Sequence, residues 1–263
     1  MEKLNTEEYN SRFLEIGNDD ENDPTGFYEH FPQMLPWIGK DYNSLNHKKI
    51  LFIGESHYLP EGIDDELYTP DGWYEQDLNN LLDNSTDAYD FTFTVGKVSL
   101  KSDVGNWSSR AHSIYREIEK AMRNTVAEKE EYKSCTNMFQ YAAYYNYFLR
   151  PAYKGESIRK NIKPKDLIIA DDAFKEIIGI IKPDCIYFLS KYAWETYCQK
   201  NRENPFILNL SHSTKLINVD YSPHPSCSWW NRKHINLNNS GELLTGKEKM
   251  LDFLKKNHVF DEK

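Results

Sequence analysis

Short apolar runs alternate with amphipathic stretches along the chain. Four apolar runs predict buried strands, which cover residues 50–53, 142–147, 184–189 and 215–221. Apolar residues at helical spacing predict helices between and after these strands, at 107–124, at 166–181, after Ser190 and from Thr245 onward. Strands that alternate with helices are typical of a parallel sheet covered by helices. The pattern therefore predicts an α/β fold, a three-layer α/β/α sandwich with a central four-stranded parallel sheet.

The segment before the first strand predicts a helical extension. Apolar positions favour a helix over residues 5–16, with Asn5 and Glu8 at the spacing of a capping box. We therefore expect one domain over residues 1–263, in which residues 1–45 are an N-terminal helical extension.

A long polar segment follows the first strand. Residues 59–105 are rich in turn-forming residues and include one short predicted helix at 76–82. A loop of this length in a compact domain is typical of a lid or a ligand-binding loop.

Composition narrows the class of protein. The chain is 39% hydrophobic, and no apolar run approaches the roughly 18 residues that a membrane-spanning helix needs. The N-terminus is polar and charged, which does not fit a signal peptide. Four scattered cysteines contain no Cys-x-x-Cys pair. These features predict a cytoplasmic protein with reduced thiols, no membrane partner, no metal site and no other cofactor.

The net charge of −9 bears on nucleic-acid binding, because most nucleic-acid binders are basic. Any phosphate contact must come from a local patch, for which Arg150 and Lys154 are the first candidates. They begin a basic segment in which only Glu156 carries the opposite charge; its other members are Arg159, Lys160, Lys163 and Lys165. The same segment also fits a solvated, lysine-rich loop.

Polar residues follow three of the predicted strands. Gly54 ends the first strand and is followed by Glu55, Ser56, His57 and Tyr58. Asn146 lies near the end of the second strand, and the segment His224-Pro225-Ser226 follows the fourth. Because an open α/β sheet binds ligands beyond the carboxyl ends of its strands, we expect these groups to form one site.

In these segments the chain resembles the uracil-DNA glycosylase superfamily. Members of that family carry a Gly-Gln-Asp-Pro-Tyr-type or Gly-Glu-Ala-Pro-Gly-type segment after the first strand and His-Pro-Ser-Pro after the last. Gly54-Glu55-Ser56-His57-Tyr58 falls in the first position and His224-Pro225-Ser226-Cys227-Ser228 in the second. Asn146 corresponds to the asparagine that reads the base. The resemblance covers about residues 48–230 in matching order.

The resemblance implies a DNA-repair hydrolase that flips a damaged or deaminated base out of the stack and hydrolyses its N-glycosidic bond. His224 would stabilise the leaving base as it becomes anionic, and Asn146 would make two hydrogen bonds to it. Tyr58 would line the base pocket with Gly54, Pro225 and Ser226. Trp229 and Trp230 fall in the position of an intercalating loop. The implied partner is DNA, or a nucleotide or base.

Two residues depart from the family pattern, Ser56 and His57, and the proline of the family corresponds to His57. The water-activating aspartate of the family corresponds to Ser56, which is no base at neutral pH. Glu55 is an alternative base, and His57 could orient a water molecule. The sequence therefore leaves open a protein of the same fold that binds a base or nucleotide without cleaving it.

A serine hydrolase is a second alternative. Ser56, Asp184 and His224 occur in the chain order of a hydrolase triad. However, Tyr58 stands where a nucleophile elbow needs glycine, and Asp184 begins a strand instead of following one.

Overall fold

The structure is a computed structural model. It describes residues 3–16, 26–59, 61–75, 91–99, 107, 112–153, 155–200, 207–209, 216–235 and 241–261. The short helix predicted at 76–82 and part of the 59–105 loop lie outside these residues, as does Lys154. Within them, no helix combines the length and the apolar character needed to cross a membrane.

A mostly parallel sheet forms the centre of the protein. Its strands are β1 (Trp37–Ile38), β2 (Ile50–Gly54), β3 (Ala142–Asn146), β4 (Cys185–Phe188), β5 (Ile207–Asn209) and β6 (Leu216–Tyr221). They lie in the order β1-β3-β2-β4-β6-β5. The four inner strands are parallel, and β1 and β5 pair antiparallel at the two edges. The α/β class is confirmed, and the sheet is wider than the four strands expected.

The helices are α1 (Asn10–Leu14), α2 (Phe27–His30), α3 (Pro70–Tyr74), α4 (Thr94–Ser99), α5 (Ser113–Thr125), α6 (Pro164–Ile181), α7 (Lys191–Lys200) and α8 (Gly246–Lys256). A short hairpin pairs β7 (His234–Ile235) with β8 (Leu243–Leu244). The predicted caps of two helices are present. Ser190 Oγ accepts a hydrogen bond from Ala193 N at the start of α7. Thr245 and Glu248 form the capping box of α8.

Alternating residues of the sheet contact different sets of helices. Leu51 and Ile53 of β2 belong to a core that includes side chains from α1, α6 and α7. Ile50 and Phe52 belong to a second core that includes side chains from α5 and α8. Because successive side chains of a strand point to opposite faces, both faces of the sheet are covered by helices.

The N-terminal segment differs from the prediction. The capping box at Asn5 does not form, since Asn5 makes an isolated bridge to Gly39 and the helix begins only at Asn10. Phe13 of this helix is buried in the core. The segment also contributes β1, which the sequence analysis missed because two residues are too short for a periodic signal. The predicted helix at 107–124 is also shorter, because α5 begins at Ser113.

A buried ion pair joins the segment after β3 to the start of α6. The Arg150 guanidinium donates to both carboxylate oxygens of Asp166, over 2.8 and 2.7 Å. It also donates to the backbone carbonyls of Tyr68 and Asn161. Both side chains of the pair are 1% exposed or less. Arg150 is thus a structural residue, and the prediction that it contacts phosphate is wrong, because its donors are used inside the fold.

Replacing Arg150 by methionine is expected to lower the free energy of unfolding by about 3–5 kcal/mol, because Asp166 would remain buried without its partner. Urea unfolding measures this change. The matched control is Lys160→Met, which removes an exposed ion pair with Glu156 and should cost less than about 1 kcal/mol. An equal effect of the two single changes would contradict the structural role of Arg150.

Candidate functional site

The strand order reverses at β2. β2 lies between β3 and β4, so the chain moves to one side of β2 first and to its other side later. Open α/β sheets bind ligands outside the carboxyl ends of strands at such a reversal. The polar residues after β2, β4 and β6, together with the last residue of β3, all belong to this edge. The strand ends singled out in the sequence therefore share one side of the sheet.

Gly54, the last residue of β2, lies beneath a side-chain hydrogen bond. Gly54 pairs with Asn146 across the parallel ladder. The Tyr144 hydroxyl donates to Asn146 Oδ1 over 2.9 Å. A Cβ atom at Gly54 would lie 2.1 Å from Asn146 Oδ1 and 2.3 Å from the Tyr144 hydroxyl oxygen. Only glycine leaves room for this arrangement, which explains the residue type at the end of β2.

The carboxylate of Glu55 is held by hydroxyl groups from two other segments. Ser157 Oγ donates to Oε1 over 2.5 Å, and Ser190 Oγ donates to Oε2 over 2.6 Å. Ser190 also caps α7, so the helix start and the carboxylate share one hydroxyl. We call Glu55, Ser157 and Ser190 the Glu55 cluster. Its carboxylate keeps further lone pairs on both oxygens, with which it can accept a hydrogen bond from water.

Sequence reasoning missed two members of the Glu55 cluster. The sequence predicts Ser190 only as a helix cap, although its position directly after a strand is a signal for a site residue. Ser157 lies 102 residues from Glu55 and carried no signal.

His224 has one ring nitrogen occupied. The backbone N–H of Ser226 donates to His224 Nδ1 over 3.1 Å, and Ser226 Oγ lies 2.8 Å from the same atom. Because Nδ1 accepts a hydrogen bond, the proton of the neutral ring is on Nε2. Burial lowers the pKa of His224, an effect that the nearby Glu55 charge partly opposes. At neutral pH the ring is thus a neutral group with an Nε2–H donor, and no described residue accepts from Nε2.

His57 lies in the interior of the protein. Its Nε2 is 3.0 Å from Thr94 Oγ1, at the start of α4. Burial and, to a smaller extent, the Lys97 charge lower the pKa of His57 to about 3, although a hydrogen bond to the Phe91 backbone acts in the opposite direction. The neutral ring therefore fastens residues 91–99 to the segment after β2.

Ser56 and Tyr58 flank His57. Both are half-buried, and the Ser56 hydroxyl has no hydrogen-bond partner among the described residues. Tyr58 bridges to Ala152, and burial together with the Glu55 charge raises the pKa of its hydroxyl.

The two tryptophans after His224 have different environments. Trp230 is 1% exposed, and its Nε1 donates to Glu117 of α5 over 3.3 Å. Trp229 is 54% exposed. Trp230 is therefore a core residue, and the prediction of an intercalating side chain can apply only to Trp229. Arg232 and Lys233 follow on the surface, with no ion-pair partner in the described part of the chain.

The predicted basic patch is largely neutralised. Lys160 pairs with Glu156, and Lys165 pairs with Glu75. The guanidinium of Arg159 lies over the ring of Tyr192, 5.4 Å from its centroid.

A cleft of about 440 Å³ beside this segment is lined by carboxylates and stacked tyrosines, including Glu61, Asp65, Glu156, Tyr68 and Tyr153. This side of the site is acidic and does not suit a phosphate backbone.

No protein-family model and no curated protein match the chain. The residues of the site are therefore the basis for the proposed function.

The structure also bears on a metal site and on a serine hydrolase triad. Among the described residues, no group of three or more His, Cys, Asp or Glu side chains is placed to hold a metal ion. Asp184 precedes β4 and accepts a hydrogen bond from the backbone N–H of Lys49, which precedes β2. It thus lies at the amino edge of the sheet, opposite Ser56 and His224, so these three residues do not form a hydrolase triad.

Gly54→Ala is expected to lower the free energy of unfolding by about 1–3 kcal/mol, because the new methyl group overlaps Asn146 and Tyr144. The control is Gly179→Ala in α6, where a Cβ atom meets nothing within 4 Å. That change should raise stability by up to about 1 kcal/mol, since alanine favours the helix. Urea unfolding compares the two variants, and a stable Gly54→Ala protein would contradict the close approach.

The stability of the protein should fall as His57 is forced to bind a proton. Its pKa is 6.5 when unfolded and about 3 when folded, so the unfolded chain binds more protons between these values. The neutral His57 ring makes its full contribution to the free energy of unfolding above pH 6.5. This contribution falls by about 1.4 kcal/mol for each pH unit as the pH falls towards 3. Unfolding experiments at several pH values should show a shallower dependence for His57→Gln. A ring titration near pH 6.5, observed by NMR, would contradict the buried neutral state.

Proposed function

We propose that the protein hydrolyses the N-glycosidic bond of a damaged or deaminated base in DNA, as a divergent relative of the uracil-DNA glycosylases. The observation that carries the proposal is His224. Its Nδ1 is held by Ser226, its ring is neutral, and its Nε2–H is left for a ligand at the edge where Glu55 also lies. A fixed neutral donor suits an oxygen that gains negative charge during the reaction.

The fold gives secondary support. Four parallel strands with polar segments after the first and last, and an asparagine at the end of the second, agree with the order of segments that the resemblance implies. A uracil-DNA glycosylase-like sandwich is thus the fold we propose within the observed α/β class.

Each residue of the site has a role in the proposed reaction. The bond between C1′ and the base nitrogen breaks, and its electron pair leaves with the base. His224 Nε2–H donates to the base oxygen on which this charge collects. Asn146 binds the edge of the base. Water then adds to C1′ and passes its proton to the Glu55 carboxylate, which leaves a free base and an abasic sugar.

Glu55, rather than Ser56, is the base in this proposal. A serine hydroxyl does not accept a proton at neutral pH, whereas the Glu55 carboxylate is fixed by Ser157 and Ser190 and retains lone pairs for a water molecule. His57 has only a structural role, because its ring is buried against Thr94 and joins residues 91–99 to the segment after β2.

The DNA contacts follow from the surface next to His224. Trp229 is an exposed aromatic side chain that can fill the gap left by a flipped base. Arg232 and Lys233 supply positive charge close to it in sequence and replace Arg150 as phosphate contacts. The acidic cleft lined by Glu61, Asp65 and Glu156 is not part of the proposed DNA surface, because its carboxylates would repel phosphates.

A protein that binds a base without cleaving it is the second candidate. The observations that favour it are Ser56 in the position of the family aspartate and the net charge of −9, which weakens binding to DNA. It uses the same Asn146 and His224, and it differs from the first candidate in releasing no base.

The test is a base-release assay on oligonucleotides that contain uracil, hypoxanthine or xanthine. His224→Ala should lower the rate by about 100- to 1,000-fold, because it removes the donor to the leaving base. His258→Ala, an exposed histidine paired with Asp261, is the matched control and should act like the wild type. Release that is equal in both variants would remove His224 from the mechanism. DNA binding without any release would favour the second candidate.

A further inference from the structure

Tyr144 and Asn146 lie on the same face of β3, two residues apart. Tyr144 is buried, and its hydroxyl donates to Asn146 Oδ1 over 2.9 Å directly above Gly54. The Tyr144 ring is itself fixed, because Tyr115 of α5 packs edge-on against it with ring centroids 5.1 Å apart. The hydroxyl is therefore held in one place by the core.

This hydrogen bond distinguishes the two ends of the Asn146 amide. Oδ1 is the end that accepts from Tyr144, whereas no described residue accepts from Nδ2. A terminal amide can otherwise turn by 180° and exchange its oxygen and nitrogen at little cost. With Oδ1 bound to Tyr144, the NH₂ group stays available as a donor, and the second lone pair of Oδ1 stays available as an acceptor.

We propose that Tyr144 is a positioning residue: its hydroxyl fixes the orientation of the Asn146 amide and so determines which edge of a base the amide can bind. A lactam edge presents a carbonyl oxygen next to a ring N–H, which complements an NH₂ donor beside an oxygen acceptor. An amino-substituted ring presents the reverse pattern, an NH₂ group next to a bare ring nitrogen, and would need the amide turned over. The inference rests on the proposed function, since it assigns the edge of the base that the site reads.

Tyr145, the next residue, offers a matched control. It is buried in the opposite core, and its hydroxyl has no hydrogen-bond partner among the residues that the structure describes. Tyr145→Phe and Tyr144→Phe remove the same atom from neighbouring positions of one strand. Only Tyr144→Phe takes away the donor to Asn146, while both retain the aromatic ring that packs in the core.

The first experiment compares a base with a lactam edge and a base with an amino edge. Uracil and cytosine, free and in otherwise identical oligonucleotides, are tested for binding and for release. The wild type and Tyr145→Phe should share the same preference for uracil. Tyr144→Phe should reduce that preference about fivefold, the equivalent of about 1 kcal/mol for one hydrogen bond. An unchanged preference in Tyr144→Phe would overturn the proposal while leaving the glycosylase function intact.

The second experiment needs no ligand, and it distinguishes a failure of the Tyr144 positioning role from a failure of the proposed function. NMR of the Asn146 side-chain NH₂ group should give one sharp pair of signals in the wild type and in Tyr145→Phe. In Tyr144→Phe the pair should shift and broaden, because the amide has lost its only described partner. If these signals change as expected but no base binds, the proposed function fails and the ordering of the amide stands. If the signals are unaffected by Tyr144→Phe, the positioning role is wrong whatever the activity.

Discussion

The absence of a side chain at Gly54 is the constraint on which the candidate site depends. β2 is the strand at which the strand order reverses, so its last residue lies at the edge where open α/β sheets bind ligands. A Cβ atom there would occupy the space of the Asn146 amide and the Tyr144 hydroxyl. The missing Cβ atom thus allows the Asn146 side chain of the neighbouring strand β3 to lie over the end of β2. Gly54 serves the site through the space that its missing side chain leaves, while its backbone pairs with β3.

Near Gly54, Glu55 is fixed by residues that are distant in the chain, whereas His224 is fixed by a residue of its own loop. Glu55 is held by Ser157 and Ser190, and His224 is held by Ser226. Such prior positioning matters because groups that are already oriented cost little to reorganise when charge develops. The hydroxyl groups of serine are well suited to this purpose, since each both donates and accepts.

The sequence predicted the parts of the fold that depend on local pattern. The four inner strands, the helix α6 and the caps at Ser190 and Thr245 agree with the structure because periodicity and capping act over a few residues. It failed where the cause is distant in sequence. Arg150 resembled a surface cation, and nothing in its neighbourhood indicated that Asp166 would bury it. Trp229 and Trp230 are adjacent and identical in type, yet Trp229 is exposed whereas Trp230 packs in a core and donates to Glu117.

The short edge strand β1 has a consequence for association between chains. An exposed strand edge can pair with another molecule through its free backbone groups. β1 has only two residues, and its outer side is already covered: Thr6 N–H donates to Ile38 C=O, and Lys40 N–H donates to Leu4 C=O, each over 2.9 Å. The N-terminal residues thus cap this edge with their own backbone. Removing them would expose a template for strand addition, so the start of the chain protects the protein against aggregation.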